Sequence, residues 1–555
     1  MNQVFKIFLR VFPLYLLLIC IVTFGLHRAY FEQDEWAGFS SIIHFMTQPW
    51  WHIFIPFEMH FSPIPTLIWR SMYQVFKLQS VYYYAVEFII HAAVSTFIYI
   101  ITLRLTKNTS IGMLTGLLFL LNSRAHQAFT HLAIFNSTDT CMFFISLFYV
   151  YLTTIHGHII SIKQSIILAI IFLGAVFTRE EGYILIPTFI AYIYCFDREK
   201  INSKNFKAIL VLALSLFMFL FGRYYAQTLR TETTPVQYQI NAKRAAYNLA
   251  TIPIKLIDQN IIYYAHIANF FLKYYEKFYP GMIKNFYTDN APLMDVGFFY
   301  LFGIFATIFS IWVLLIRPKN IPTYLIFFGV WICAHAFMLS FVGFPIFVLE
   351  PRYLYFSAFP VFCMVSIILY TTFTFKSNNI AITFFAKIVV LLLVSMIIKS
   401  SFVEIRKIVT DEIRRGEAKT KVLTSLHQIH PKLADNTIFF LKCTKKCYRN
   451  GELGFTSDNV LPFPSGPGMI LLISYAVGHE REWGPFFTNG FLFDTYAEDY
   501  KQIGKRSFGY FVTKSKLEDT LLKYSLSKDI VTAIEYNEEN YTLKDISEEF
   551  RKTLN

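Results

Sequence analysis

The run Phe31-Glu32-Gln33-Asp34-Glu35-Trp36-Ala37-Gly38-Phe39 places three carboxylates within four residues, directly after a long apolar stretch. A carboxylate at the edge of a membrane can accept the proton of a hydroxyl group while that oxygen attacks an electrophile, the work of a general base. Asp34 is the expected base. Glu35 is expected to orient it, to bind the acceptor, or to disfavour its charge by like-charge repulsion. A partner chemistry is available further along. Arginine offers a planar fork of donors that suits it to holding a departing phosphate. The chain carries Arg179 followed by Glu180 and Glu181, Arg352 followed by Tyr353, and Arg124 with His126. The plain alternatives are stated beside these: the acids end a helix in water, Arg179 with Glu180 and Glu181 is a charged helix end, Glu350 and Arg352 form a structural salt bridge, and Arg124 and His126 cap a helix or meet lipid headgroups.

Composition decides which setting these groups occupy. Of 555 residues, 55% are hydrophobic, only 16% are charged and 19% are aromatic, with a mean hydropathy of +0.45. Such a chain reads as a polytopic membrane protein. The net charge of +13 fits cytoplasmic loops and anionic headgroups, so nucleic acid is not an expected partner and membrane lipid is.

Apolar runs at 8–26, 82–103, 111–122, 132–154, 165–177, 183–196, 207–222, 298–316, 322–343, 353–375 and 381–400 predict about eleven spanning helices. The first has no small-residue cleavage signal after it and is expected to stay as an anchor, its N-terminus in the cytoplasm. The run Ile64–Phe76 is short and carries Arg70, and is read as interfacial. The loops then assigned inside carry Arg104 and Lys107; Lys163; Arg198, Lys200, Lys204 and Lys207; Arg317 and Lys319; and Lys376, all in line with the positive-inside rule. On that topology Asp34, Arg124, Arg179 and Arg352 all fall on the outer side. Four loops delivering costly charges to one face make a site more informative than any one residue.

The long segments 27–80 and 223–297 are expected as outer loops, the second as surface helices or a lid around the turn Tyr279-Pro280-Gly281. After about 401 the composition turns soluble. Asn436–Leu441, Gly468–Tyr475 and Ser507–Val512 read as strands, and Lys516–Tyr524 and Leu543 onward as helices, giving an outer α/β domain.

Five cysteines lie in apolar runs, while Cys443 and Cys447 are placed to close a small disulfide in an oxidising compartment. His27, His44, His52 and His60 match no metal-ligand spacing. His91 and His335 read as core histidines, and Asp139 as either bundle-facing polar glue or part of the cavity. Phosphate-cradling glycine loops, nucleophile elbows and His-Glu-x-x-His helices are absent from the sequence.

Asp34-Glu35-Trp36-Ala37-Gly38-Phe39 after the first apolar run resembles the Asp-Glu motif of the protein O-mannosyltransferases, members of the GT-C membrane glycosyltransferases. His60–Pro65 through Tyr83–Ala92, Phe119–His126, Arg179–Gly182 and Arg352–Tyr355 look like the corresponding regions of GT-C enzymes that carry tetratricopeptide repeats. The resemblance covers roughly the first 200 residues and the region near 350. It implies Asp34 as the catalytic aspartate and Arg179 as the basic group after the fifth helix. It also implies a polyprenyl-phosphate sugar donor and inverting transfer in one step, with no cofactor and no required metal. The chain lacks the repeats, and its tail matches neither relative, which leaves the acceptor open among glycan, lipid and protein.

The expected fold is therefore mainly α: a GT-C-like transmembrane bundle over 1–400 with a C-terminal extracytoplasmic α/β domain over 401–555, in the plasma (inner) membrane. The rival function is a transporter or flippase of a lipid-linked glycan, which would use midplane charges and matching broken helices that the sequence does not display.

Overall fold

A computed structural model describes residues 2–31, 33–54, 61–132, 137–156, 160–197, 203–228, 248–249, 252–253, 256, 321–339, 351–376, 378–443, 448–449, 452–453, 467–488, 491–492, 497–537 and 539–554. The chain is mainly helical, with a small sheet near its C-terminus. It divides into two compact units. One comprises Met1–Thr23, Phe54–Pro65 and Val86–Lys407, the other Phe24–Ile53, Thr66–Ala85 and Ile408–Asn555.

The first unit is a helical bundle. Six helices are long and apolar enough to cross a membrane: Asn2–Val22, Ser80–Thr106, Ser203–Thr228, Ile321–Leu339, Pro351–Phe373 and Ile380–Ile429. Four more expected spans form shorter helices, Thr109–Leu120, Thr138–Thr154, Ile162–Thr178 and Leu185–Phe196, below the ~20 residues a helix needs to cross alone. Local chemistry sets their ends. Asn108 caps Thr109–Leu120 by accepting from the Ile111 N–H at 3.1 Å, and Ser161 with Gln164 forms a reciprocal capping box. The expected span 298–316, nearly all of 223–297 and Glu350 lie outside the described residues.

Helix Ile162–Thr178 stops at Arg179, which is fully extended (φ −162°, ψ 152°), and the chain then makes the short turn Glu180–Ile184. This turn lies back on its own helix. A Cβ at Gly182 would sit 2.7 Å from the Ala175 carbonyl carbon and the Val176 nitrogen, so only glycine permits the approach.

In the second unit the first-loop helices Gln33–Met46 and Pro63–Phe76 belong with the C-terminal tail. The sequence had grouped residues 27–80 with the bundle. The physical reason is a shared core. Phe31, Trp36 and Phe39 pack edge-on against Trp69, Tyr73 and Tyr83 at ring distances of 4.7–6.0 Å, geometry that aromatic quadrupoles favour. Across from it Gly484 abuts the Ile43 carbonyl at 2.9 Å. Glu480 accepts from Lys77 Nζ at 2.7 Å and from the Tyr73 hydroxyl at 3.2 Å. Burial opposes the charge on Glu480, but the Lys77 hydrogen bond and backbone N–H groups outweigh it and hold the carboxyl below its usual range.

The tail carries a five-stranded sheet in the order β4-β5-β1-β6-β7, with β1 Asn436–Cys443, β4 Asp499–Ile503, β5 Arg506–Phe511, β6 Val531–Asn537 and β7 Thr542–Asp545; β2 Tyr448–Arg449 and β3 Glu452–Leu453 form a separate ladder. Central β1 runs parallel to β5 and β6, with Ile438 opposite both Gly509 and Val531. Its run Ile438-Phe439-Phe440-Leu441 is buried on both faces, as a central parallel strand requires. Helix Lys514–Lys523 covers one face through Leu517 and Leu521; helix Pro467–Ala476 meets Phe439 through Tyr475.

Three details depart from expectation. Gly468–Tyr475, read as a strand, is helical. An eight-residue apolar run has no period to separate buried strand from buried helix, and here Pro467 opens the helix while Gly478, at φ +83°, follows it. The segment from Leu543, read as helix, begins as β7 and turns helical only at Ser547–Arg551. Strands β4 and β6 went unread, because β4 is a polar edge strand and β6 is broken in pattern by Glu535.

Candidate active site

The first unit brings three of the predicted basic elements together. The turn Ser123–Ala125 and helix Gln127–Thr130 pack against helix Pro351–Phe373, and the Arg352 N–H reaches the Gln127 side-chain oxygen at 3.5 Å. Helix Thr138–Thr154 packs against the turn that follows Arg179. Arg179 is nearly buried, at 8% exposure. Its Nε donates to Glu181 Oε2 at 2.8 Å, and its Nη1 to Thr138 Oγ1 at 2.7 Å and Ser137 Oγ at 3.2 Å. Nη2 makes no hydrogen bond to a described residue. The guanidinium carbons of Arg179 and Arg352 lie 5.7 Å and 5.2 Å from the centre of the Tyr353 ring, within cation–π reach.

Two residues thus share one aromatic plate although 172 positions separate Arg179 from the plate's own neighbour Gly182–Arg352 stretch in sequence numbering. Glu180 pairs with Arg223 Nη1 at 3.4 Å. Three arginines around Glu180 and Glu181 leave the cluster positive, which suits an anion. Arg223 was passed over in the sequence. Its signal was present: it is the first charge after the apolar run 207–222. Arg124 and His126 sit in a local turn, where the Arg124 N–H bonds Asn122 Oδ1 at 3.0 Å and His126 Nδ1 lies 2.7 Å from the Ser123 carbonyl.

Behind the arginines lies a fully buried polar cluster. His91 Nδ1 is 2.8 Å from the Tyr355 hydroxyl and 3.6 Å from Asp139 Oδ2, and Nε2 is 3.2 Å from the Leu120 carbonyl. Glu87, one turn before His91, has no exposure either. His91 is a core histidine, as read, and Asp139 lies in its shell. Thr138, which holds Arg179, precedes Asp139; Tyr353, which the arginines share, precedes Tyr355 by two. The cluster therefore ties helices Ser80–Thr106, Thr138–Thr154 and Pro351–Phe373 at the level of the site.

In the second unit Asp34 falls in the first turn of helix Gln33–Met46; its side chain and Glu32 lie outside the described residues. Glu35 is 1% exposed and precedes Trp36, the residue that keys the helix into the aromatic core. A carboxylate in a first turn also complements the helix dipole. Cys447 and the side chain of Cys443 lie outside the described residues.

No family model matches the chain, and no curated protein matches it. Among solved structures it is similar to ArnT from Cupriavidus metallidurans. The apo form aligns at 12% identity over 80% of this chain and 83% of that one, with a TM-score of 0.43. The form bound to undecaprenyl phosphate aligns at 13% identity over 96% of each, with a TM-score of 0.47. Scores under 0.5 at such identity carry no argument about this chain.

Proposed function

We propose that the protein is an integral membrane glycosyltransferase of GT-C type that moves a sugar from a polyprenyl-phosphate donor to an extracytoplasmic acceptor. The observation that carries the reading is the arginine pair, Arg179 and Arg352, gathered on Tyr353 in a nearly buried, positive cluster. Its support from sequence is the order of the motifs around Asp34, Arg179 and Arg352. The acceptor hydroxyl oxygen attacks the anomeric carbon as the bond from that carbon to the phosphate oxygen breaks. The configuration inverts. The bonding pair leaves with the polyprenyl phosphate, whose charge Arg179 and Arg352 neutralise, and the hydroxyl proton passes to the Asp34 carboxylate. This assigns charge neutralisation to arginine and requires no metal. Burial of the guanidinium groups strengthens their hold on phosphate, because water screens them less. On this reading the chain sits in the plasma (inner) membrane with its N-terminus cytoplasmic.

The test is transfer of radiolabelled sugar from a synthetic polyprenyl-phosphate hexose panel by the purified full-length protein, with membrane extract supplying acceptors. Wild type consumes a donor, and Asp34→Asn loses at least about a hundredfold, the scale of a general base. A fully active Asp34→Asn overturns the base assignment. No consumption of any donor overturns the transferase reading in favour of lipid-linked glycan transport.

A further inference from the structure

We propose that the second unit holds a carbohydrate-binding site, a polar cleft built around Tyr30 and one face of helix Ile380–Ile429. Two adjoining cavities of 370 Å³ and 690 Å³ share Tyr30, Leu78 and Thr420, in the size range of small-molecule sites, about 300–1,000 Å³. Glu417, Thr420, Thr424 and Gln428 recur at helical spacing and line the wall, while Val422 and Leu426 on the same helix are buried. Ser474 and His427 complete the smaller cavity, and Gln79 and His27 extend the larger.

Tyr30 is fixed in place. Its backbone N–H region abuts Gly416, where any Cβ would collide with Tyr30 and Ala29, and its ring packs on Phe31 and Trp36 at 5.1 Å and 5.8 Å. Its hydroxyl makes no hydrogen bond to a described residue. Burial pushes that hydroxyl upward in pKa, so it stays a donor at neutral pH.

The lining chooses the ligand class. Hydroxyls, amides and imidazoles dominate, with few apolar groups, so the cleft offers little to a hydrocarbon ligand. The guanidinium of Arg28 is engaged by Glu417, which leaves a phosphate without a fork. A sugar presents hydroxyls that both donate and accept, and a C–H face that an aromatic ring can meet. Those are the groups on offer. That the sugar is the acceptor of the transfer rests on the reading above; that the cleft binds sugar does not.

The experiment is saturation-transfer NMR on the full-length protein in detergent, without donor lipid, against free glucose, galactose, mannose, N-acetylglucosamine and their common disaccharides. Thr420→Trp and Thr424→Trp fill the cleft from positions that are exposed, and Tyr30→Phe removes one hydroxyl. The expected result is binding by wild type, at least tenfold weaker binding in either tryptophan variant at unchanged melting temperature, and a severalfold loss in Tyr30→Phe. Absence of binding by every sugar, survival of binding in both tryptophan variants, or displacement by equimolar inorganic phosphate overturns the proposal. If sugar binds and no donor is ever consumed, the cleft stands and the transferase reading falls.

Discussion

The arginine cluster of the first unit and the acidic helix of the second are held by opposite means. In the first, charged groups fix one another: Arg179 is anchored by Glu181, Thr138 and Ser137, and its surroundings are nearly dry. In the second, apolar rings fix the backbone, and the carboxylate of interest is carried at the helix start. A group that must bind a charged ligand from a desolvated site needs polar anchors, whereas a group that must exchange a proton with a hydroxyl needs only a firmly placed backbone. The comparison teaches where each site is fragile.

It breaks most sharply at Arg179. Arg179→Ala leaves Glu181 buried and unpaired, an expected loss of about 3–5 kcal/mol, read as a large fall in the detergent melting temperature together with loss of donor turnover. Arg179→Lys keeps the charge without the fork, and is expected to retain most of the stability while losing turnover at least tenfold. Equal stability of the alanine variant and wild type would show that the network does not hold the fold. In the second unit the counterpart is Trp36→Ala, expected to cost about 3 kcal/mol in chemical denaturation; a smaller change than in Arg179→Ala on turnover per folded molecule would confirm that its role is support.

Gly182→Ala probes the join between chemistry and backbone. The added Cβ meets backbone atoms that cannot step aside, and a cost of about 1–3 kcal/mol with displaced Arg179 is expected, measured as a raised donor KM. The smallest effect is electrostatic. Glu480 and Glu498 both have folded-state values below the ordinary 4.5, burial being outweighed by Lys77 and by Lys516 with backbone N–H groups. Their contribution is full above about pH 4.5 and drains away as pH falls through the lower folded values. Melting curves between pH 3 and pH 6 should thus show an acid limb that Glu480→Gln flattens, with Lys77→Met costing only about 1 kcal/mol because Lys77 is partly exposed.

Much of this was legible in the chain. Ten of the eleven expected spans coincide with helices because unbroken apolar runs state their own extent, and the arginines that meet at Tyr353 were picked out by their sidedness. What escaped depends on distance in sequence. Nothing local to Trp36 says that its partners are Trp69 and Tyr83, and nothing local to Lys77 announces Glu480. Arg223 escaped for a different reason: its partner Glu180 was already assigned as part of a charged helix end. Helix Pro467–Ala476 escaped because composition without period names burial but not shape.

The second unit is assembled from three separate stretches, with Val86–Lys407 intervening between the last two. At ribosomal speeds of about 5–20 residues per second, roughly 320 residues take on the order of 15–60 seconds to emerge. The aromatic plate of Phe31, Trp36 and Trp69 can close early from its own segments, yet the side of helix Gln33–Met46 that meets Gly484 waits for the tail. During that interval an unfinished surface is presented to whatever guards the nascent chain. A message truncated after Lys407 would leave it so permanently, and its product should be cleared by quality-control proteases even though every spanning helix has been made.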